Sequence, residues 1–267
     1  MSSKKSKKKE LESLLENENG INICDSMRFT TAEAYKMLRT KLNLIAPRSV
    51  VSEGDKQHNC RIIGITSALR GEGKSTTAIN LAYTIAEANH NVCLIEADMR
   101  LPNLAKRLSL EKTPGLSNLL TGQVTVQSTL QTYVSEKGVK IYTITAGDIP
   151  PTPSELLESA NMEALLEAFS KTFDYIIIDL PPITVVTDPL SISSLLDGML
   201  LVVRKNYCDK RFLKDAMNQL ELANTKILGV VFTCAEGTSI GSAHTGTYRR
   251  NYKYGYKYSN SDSKSSN

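Results

Sequence analysis

Paired cysteines are missing from this chain of 267 residues. Its five cysteines, Cys24, Cys60, Cys93, Cys208 and Cys234, form no CxxC pair and are odd in number, and its three histidines, His58, His90 and His244, are scattered. Neither a disulfide framework nor a zinc site is expected, and a reducing, cytoplasmic setting suits such a chain. No apolar run approaches the roughly 18 residues of a membrane helix, and the lysine-rich start lacks the apolar stretch of a signal peptide. The expectation is a protein that neither spans a membrane nor is exported. A large charge excess is also missing: Lys+Arg 32 against Asp+Glu 28 leaves +4, too little to imply a nucleic-acid partner. What remains is ordinary globular composition, 41% hydrophobic and 22% charged, in a chain long enough to bury an apolar core without a covalent or metal staple.

Charge placement and composition divide the chain into three regions. Residues 1–60 read as a basic segment followed by an adaptor helix. The five lysines between Lys4 and Lys9 precede Glu10, Glu12, Glu16 and Glu18, so the segment is either a solvated tail or a weak attractor for an anionic membrane surface. A helix is expected from about Thr31 to Ile45, with Thr30 and Glu33 as a capping box. On it Glu33, Lys36 and Arg39 share one charged face, which is either solvated or in contact with another subunit.

Residues 61–234 form the core. Apolar runs at Ile62–Ile65, Val92–Ile95, Ile141–Ile144, Tyr175–Ile178, Leu200–Val203 and Ile227–Phe232 alternate with longer helical patterns. Continuous apolar strands are buried on both faces, so the fold class is α/β, a mainly parallel, doubly wound sheet flanked by helices. Its ligand site is expected at the carboxyl ends of the strands. Residues 235–267 lose aliphatic side chains, gain Gly, Ser, Asn, Lys and Tyr, and read as a flexible tail.

Three loops carry the chemistry. After the first strand comes Ala68-Leu69-Arg70-Gly71-Glu72-Gly73-Lys74-Ser75-Thr76, a P-loop in strand–loop–helix context with Ala68 in place of the strict pattern's first glycine. Glycine lets backbone N–H groups wrap phosphate oxygens, and the helix start adds partial positive charge. Gly71, Glu72, Gly73, Lys74, Ser75 and Thr76 are the candidate nucleotide-binding residues, with Lys74 on the β- and γ-phosphates of ATP and Ser75 on Mg²⁺. The second strand ends in Glu96-Ala97-Asp98, two carboxylates on one side of an extended chain that can face a metal or an incoming hydroxyl, or simply mark a polar strand end. At Ile178-Asp179-Leu180-Pro181-Pro182 a strand delivers one carboxylate and stops at proline, the form of a Walker B. Ser75, Asp98 and Asp179 are the candidate metal ligands; Lys74, Glu96, Asp98 and Asp179 are the candidate catalytic set.

The tail holds Tyr248, Tyr252, Tyr254, Tyr256 and Tyr258 among Arg249, Arg250, Lys253 and Lys257. It reads as a low-complexity or edge-strand segment, a base-stacking tail, or a set of phosphoacceptors, whose modification would turn a basic segment acidic.

With Gly71–Thr77, Glu96-Ala97-Asp98-Met99-Arg100-Leu101-Pro102, Asp179 with Pro181-Pro182, the segment Ala146–Leu157 and the tyrosine cluster, the chain resembles the bacterial tyrosine kinases of the capsular and exopolysaccharide type, over nearly its whole length. The resemblance implies a P-loop fold that transfers the γ-phosphoryl of MgATP to tyrosine, with the tail of one subunit modified by its neighbour. It also implies a homo-oligomer in the form of an octameric ring built through Glu33, Lys36 and Arg39. The implied partners are a membrane-embedded activator or polysaccharide co-polymerase acting through its cytoplasmic segment, which recruits the kinase to the inner membrane face, and a cognate phosphotyrosine phosphatase. Control of capsular or exopolysaccharide synthesis or export follows by the same route. Two residues depart from the family's pattern: Glu96 stands where Asp is usual, moving the carboxylate outward by about one bond length, and Lys36 replaces an arginine, losing the planar fork. One of Glu96 and Asp98 is then the base and the other a metal ligand, unresolved between them, and Glu96→Asp is expected to keep or raise activity. The rival is a partition-type switch ATPase of the Min/Par kind without kinase activity, against which stand the absence of that group's signature lysine, Leu69-Arg70 preceding Gly71, and the tyrosine-rich tail. A docking protein of weak activity is a third reading.

Overall fold

The computed structural model describes residues 23–45 and 60–234. The lysine-rich start, the 46–59 link and the tyrosine cluster lie outside the described residues. The chain divides into the units Met1–Cys234 and Ala235–Asn267, and every described residue belongs to the first.

The six apolar runs become strands β1 (Arg61–Ser67), β2 (Val92–Glu96), β4 (Lys140–Ile144), β5 (Tyr175–Asp179), β6 (Gly198–Arg204) and β7 (Ile227–Thr233). A further strand, β3 (Gln131–Val134), pairs antiparallel with β4 at one edge. Sequence reading misses it because an edge strand needs no continuous apolar run: Thr132 and Val134 are exposed, Gln131 and Tyr133 half-buried. The seven strands lie in the order β3-β4-β2-β5-β1-β6-β7, and all pairs but the first are parallel.

Each central strand alternates its side chains between two cores. Ile176 and Ile178 of β5 enter one and Tyr175 and Ile177 the other; on β2, Cys93 and Ile95 oppose Val92 and Leu94. The helices are α1 (Phe29–Ile45), α2 (Lys74–Ala86), α3 (Leu104–Leu108), α4 (Leu116–Leu120), α5 (Pro153–Leu157), α6 (Ala160–Ser170), α7 (Asp188–Ser191) and α8 (Lys210–Leu222), with a single turn at Val126–Thr129. Helices α1, α2 and α3 cover one core, and α4, α6 and α8 the other. The acidic strand tips and the P-loop thereby share the carboxyl edge of the sheet.

Helix α1 begins at Phe29, two residues before the expected start, so Thr30 lies inside the first turn and the capping box does not form. The N–H groups of Thr31 and Ala32 instead donate to the Arg28 carbonyl (2.9 and 3.0 Å). Glu33 pairs along the helix with Lys36 at 3.1 Å, and Arg39 Nη1 donates to the Thr84 carbonyl of α2. Leu42 is buried, and Asn43 Oδ1 accepts from Arg61 Nη1 (2.9 Å) and Tyr175 Oη (2.5 Å). The adaptor helix is thus fastened to its own core, while Phe29 (79% exposed) and Leu44 (74%) are bare.

Candidate active site

Gly71 and Gly73 have φ of +83° and +97°, values at which an L side chain is strained. Between them Glu72 turns inward: its carboxylate is fully buried and accepts the N–H groups of Leu69 (2.5 Å) and Arg204 (3.2 Å). The Glu72 side chain therefore braces the loop against β6, leaving only its backbone available for phosphate. Thr233 Oγ1 donates to the Glu72 carbonyl (2.7 Å), and Arg204 Nη1 donates to that of Gly71 (3.3 Å). Helix α2 starts at Lys74, so its unpaired N–H groups open into the loop.

The third motif is tied to the first. Thr66 Oγ1 donates to the Pro181 carbonyl (2.7 Å), and Ile183 N–H to that of Ser67 (2.9 Å). At the tip of β5 Asp179 is buried, and neither of its carboxylate oxygens has a hydrogen-bond partner. Burial pushes its pKa up to about 6, against the neighbouring Lys74 charge and the Ser75 hydroxyl, which favour the ionised form without reaching either oxygen in hydrogen-bonding geometry.

Glu96 and Asp98 are treated very differently. Glu96 Oε1 accepts the N–H groups of Asn103 (2.5 Å) and Leu104 (2.7 Å), at the start of α3, and Oε2 that of Ala146 (3.1 Å). Burial pushes its pKa up to about 7, the α3 N–H groups pulling against that and the Asp179 charge adding to it. Asp98 is half-buried; its Oδ1 accepts from Leu101 N–H at 3.2 Å. Burial raises its pKa and the Lys74 charge opposes this. Lys74, Ser75, Asp98 and Asp179 thus come together, whereas Glu96 is held by the backbone N–H groups of Asn103, Leu104 and Ala146.

Two further residues, Asp188 and Arg107, escaped sequence reading. Arg100 forks onto Asp188 of α7, Nε to Oδ2 and Nη2 to Oδ1, both at 2.9 Å, and Ser154 Oγ donates to the same Oδ1 (2.7 Å). Ser154 lies inside the first turn of α5, where its hydroxyl serves Asp188. Arg107 of α3 donates from Nη1 to Thr76 Oγ1 (2.8 Å); burial lowers its pKa, and the Asp179 and Glu96 charges offset only part of that. No spacing rule links Asp188 or Arg107 to the motifs.

The site suits a magnesium nucleotide. Two buried carboxylate oxygens without partners and a serine hydroxyl at a helix start fit Mg²⁺, which takes one or two carboxylates and completes its shell with phosphate and water oxygens, while the Lys74 ammonium, which has no lone pair, suits phosphate instead. Among the described residues no group of three or more His, Cys, Asp or Glu is placed to hold a metal ion.

Comparison with known proteins agrees. Residues 60–225, well over half the chain, match the family model described as AAA domain. The chain is 36% identical over 173 residues to the tyrosine-protein kinase CpsD of Streptococcus agalactiae, covering 64% of this chain and 74% of that one. It is 34% identical over 200 residues to the tyrosine-protein kinase YwqD of Bacillus subtilis, covering 75% and 79%. The crystal structure of the chimerical protein CapA2B2 superposes with a TM-score of 0.66 at 32% identity, over 75% of this chain and 83% of that one. With the P-loop, the acidic strand tips and these likenesses together, the chain belongs to the bacterial tyrosine-protein kinases.

Proposed function

We propose that the chain phosphorylates the tyrosines of its own C-terminal segment, Tyr248 to Tyr258, on a second copy, and in doing so regulates capsular or exopolysaccharide synthesis or export. The observation that carries the site chemistry is the pair of buried, unpartnered Asp179 oxygens beside Lys74 and Ser75. Bound Mg²⁺ and ATP supply a γ-phosphoryl group with its charge neutralised. Asp179 and Ser75 hold the metal, and Gly71, Gly73 and the start of α2 wrap the phosphates with N–H groups. Lys74 offsets charge on the transferred group, so catalysis is mainly positioning and electrostatics. Asp98 takes the tyrosine proton: a phenol of pKa near 10 must lose it during attack, and of the two strand-tip carboxylates Asp98 is the one that lies toward Lys74. Glu96 holds α3 and the loop before it in place.

Association of copies has support in α1. Phe29, Met37 and Leu44 are exposed along one side of the helix beside the Glu33–Lys36 pair, a surface suited to the ring in which neighbours exchange tails. Arg39 is committed to α2 and acts by fixing the helix. A membrane-embedded activator's cytoplasmic segment, recruitment to the membrane through it, and a cognate phosphatase complete this reading. Among the described residues no helix is long and apolar enough to cross a membrane.

The test is incubation of the purified chain with MgATP, with and without an activator segment, followed by detection of phosphotyrosine in the tail. Labelling that Lys74→Met abolishes is the expected result. Phosphate release without phosphotyrosine would favour the switch ATPase.

A further inference from the structure

Among the described tyrosines Tyr207 is the exposed one, at 51%; Tyr83 and Tyr175 are buried, and Tyr35, Tyr133 and Tyr142 half-buried. It stands in the turn between β6 and α8, where Asn206 has φ of +58° and the N–H groups of Tyr207 and Cys208 both donate to the Arg204 carbonyl, at 3.3 Å each. The residues before it, Arg204-Lys205-Asn206, have one counterpart in the chain, Arg249-Arg250-Asn251 before Tyr252. None of the other tyrosines, of 11 in all, follows two cations and an asparagine. An active site that selects Tyr252 by the charges ahead of it therefore meets the same order of charges at Tyr207. The surroundings of the ring also say what a phosphate would do there. The Arg204 guanidinium carbon lies 5.3 Å from the centre of the Tyr207 ring, and Arg204 Nη1 donates to the Gly71 carbonyl of the P-loop (3.3 Å). The Tyr207 hydroxyl is 3.4 Å from the point where a Cβ on Gly71 would stand, so the phenol oxygen borders the glycine cradle. A phosphate dianion attracts a guanidinium more strongly than a neutral carbonyl does, and it repels the phosphates of a nucleotide.

We infer that Tyr207 is a further phosphoacceptor, modified by another copy of the chain, and that phosphate on it weakens nucleotide binding at the P-loop beside it. The inference rests on the tyrosine-kinase reading and adds an acceptor inside the catalytic core, with a consequence for the site itself. In the step, the bond from the γ-phosphorus of ATP to the oxygen it shares with the β-phosphate breaks and a bond from that phosphorus to Tyr207 Oη forms. ADP leaves, and the phenolic proton passes to Asp98 of the modifying copy. The added dianion then takes Arg204 from the Gly71 carbonyl, loosening the loop, and sets a like charge at the edge of the cradle. Lys205 and Lys210, both exposed, flank the ring in sequence and supply cations to the modified turn.

The experiment uses full-length chains and has two arms. In the first, the parent chain and MgATP are mixed with an isotope-labelled acceptor that carries Lys74→Met and Phe at all five tail tyrosines, and phosphopeptides are mapped by mass spectrometry. Phosphate at Tyr207 of the labelled acceptor is the expected result. A labelled parent tail with Tyr207 of the acceptor unmodified would overturn the inference and leave the kinase reading standing. If the parent's own tail stays unlabelled as well, the kinase reading is lost and this inference with it. In the second arm, phosphotyrosine is placed at position 207 by genetic encoding, and MgADP binding is followed by titration calorimetry. Affinity is expected to fall about tenfold relative to the parent, while Tyr207→Phe, which adds no charge, binds MgADP as the parent does. Equal affinity of the phosphorylated and parent chains, or an equal loss in Tyr207→Phe, would overturn the proposed effect of the phosphate.

Discussion

The backbone carbonyl of Asp179 accepts the N–H groups of both Ala97 (2.8 Å) and Asp98 (3.1 Å). The tip of β5 and the loop after β2 are therefore one rigid piece, and the carboxylate suited to metal binding cannot move without carrying the carboxylate suited to proton abstraction. Distances between such groups govern in-line transfer steeply, so this backbone link is as much a part of the site as the side chains.

Replacing Asp179 by Asn separates its folding role from its chemistry. A carboxyl group held near pKa 6 in the folded chain ionises more readily when unfolded, so the unfolded state binds fewer protons and the parent loses stability as pH rises from about 4 to 6. Asn does not titrate. Relative to the parent, Asp179→Asn should gain up to about 3 kcal/mol between pH 4 and pH 7, while Mg²⁺-dependent transfer is lost. Denaturant unfolding at the two pH values, without nucleotide, measures this; a difference that stays constant with pH would contradict it.

For Glu96 the structure leads to a different expectation from the resemblance, under which aspartate is the usual residue and Glu96→Asp keeps or raises activity. Here, however, Glu96 spans to three N–H groups on two segments, and a chain shorter by one methylene cannot serve all three without backbone movement. Donors left buried and unpaired cost about 1–3 kcal/mol. The variant should have a lower melting temperature and reduced phosphotyrosine formation, read by calorimetry and by antibody on one preparation.

Glu72 offers a test of the P-loop brace. Glu72→Ala leaves the Leu69 and Arg204 N–H groups without their acceptor and frees the loop from β6. Nucleotide affinity should fall about tenfold, a loss of about 1.4 kcal/mol, as measured by titration calorimetry with MgADP. Glu72→Gln keeps one acceptor oxygen and should fall between.

The exposed side of α1 can be separated from the side that docks. Phe29→Ser with Met37→Ser removes bare apolar surface, so the mass by light scattering should decrease with the melting temperature little changed. Arg39→Ala removes the bond to the Thr84 carbonyl, and should instead lower the melting temperature, reflecting a stability loss typical of a charged hydrogen bond, about 1.5–3 kcal/mol.

Much of this molecule is legible in one dimension, and the particulars show why. Ile176-Ile177-Ile178 can only be a strand buried on both faces, and Gly71-Glu72-Gly73-Lys74 after a strand and before a helix admits few structures other than a phosphate cradle. Hidden from sequence were β3, which alternates too briefly to be seen, the start of α1, where the Arg28 carbonyl outcompetes a side-chain cap, and the task of Ser154, which bonds Asp188 rather than its own helix.

Periodicity and local steric rules act over neighbouring residues, so the order of residues alone determined the six parallel strands, the α/β class and the presence of a nucleotide loop facing acidic strand ends. Which carboxylate is left bare, which is consumed by N–H groups, and which distant residue braces a loop depend on contacts between segments up to 161 positions apart. Glu96 and Asp98 sit two residues from each other and are equivalent as a pattern; only packing, by bringing α3 and Ala146 onto one and Lys74 toward the other, gave them different chemistry.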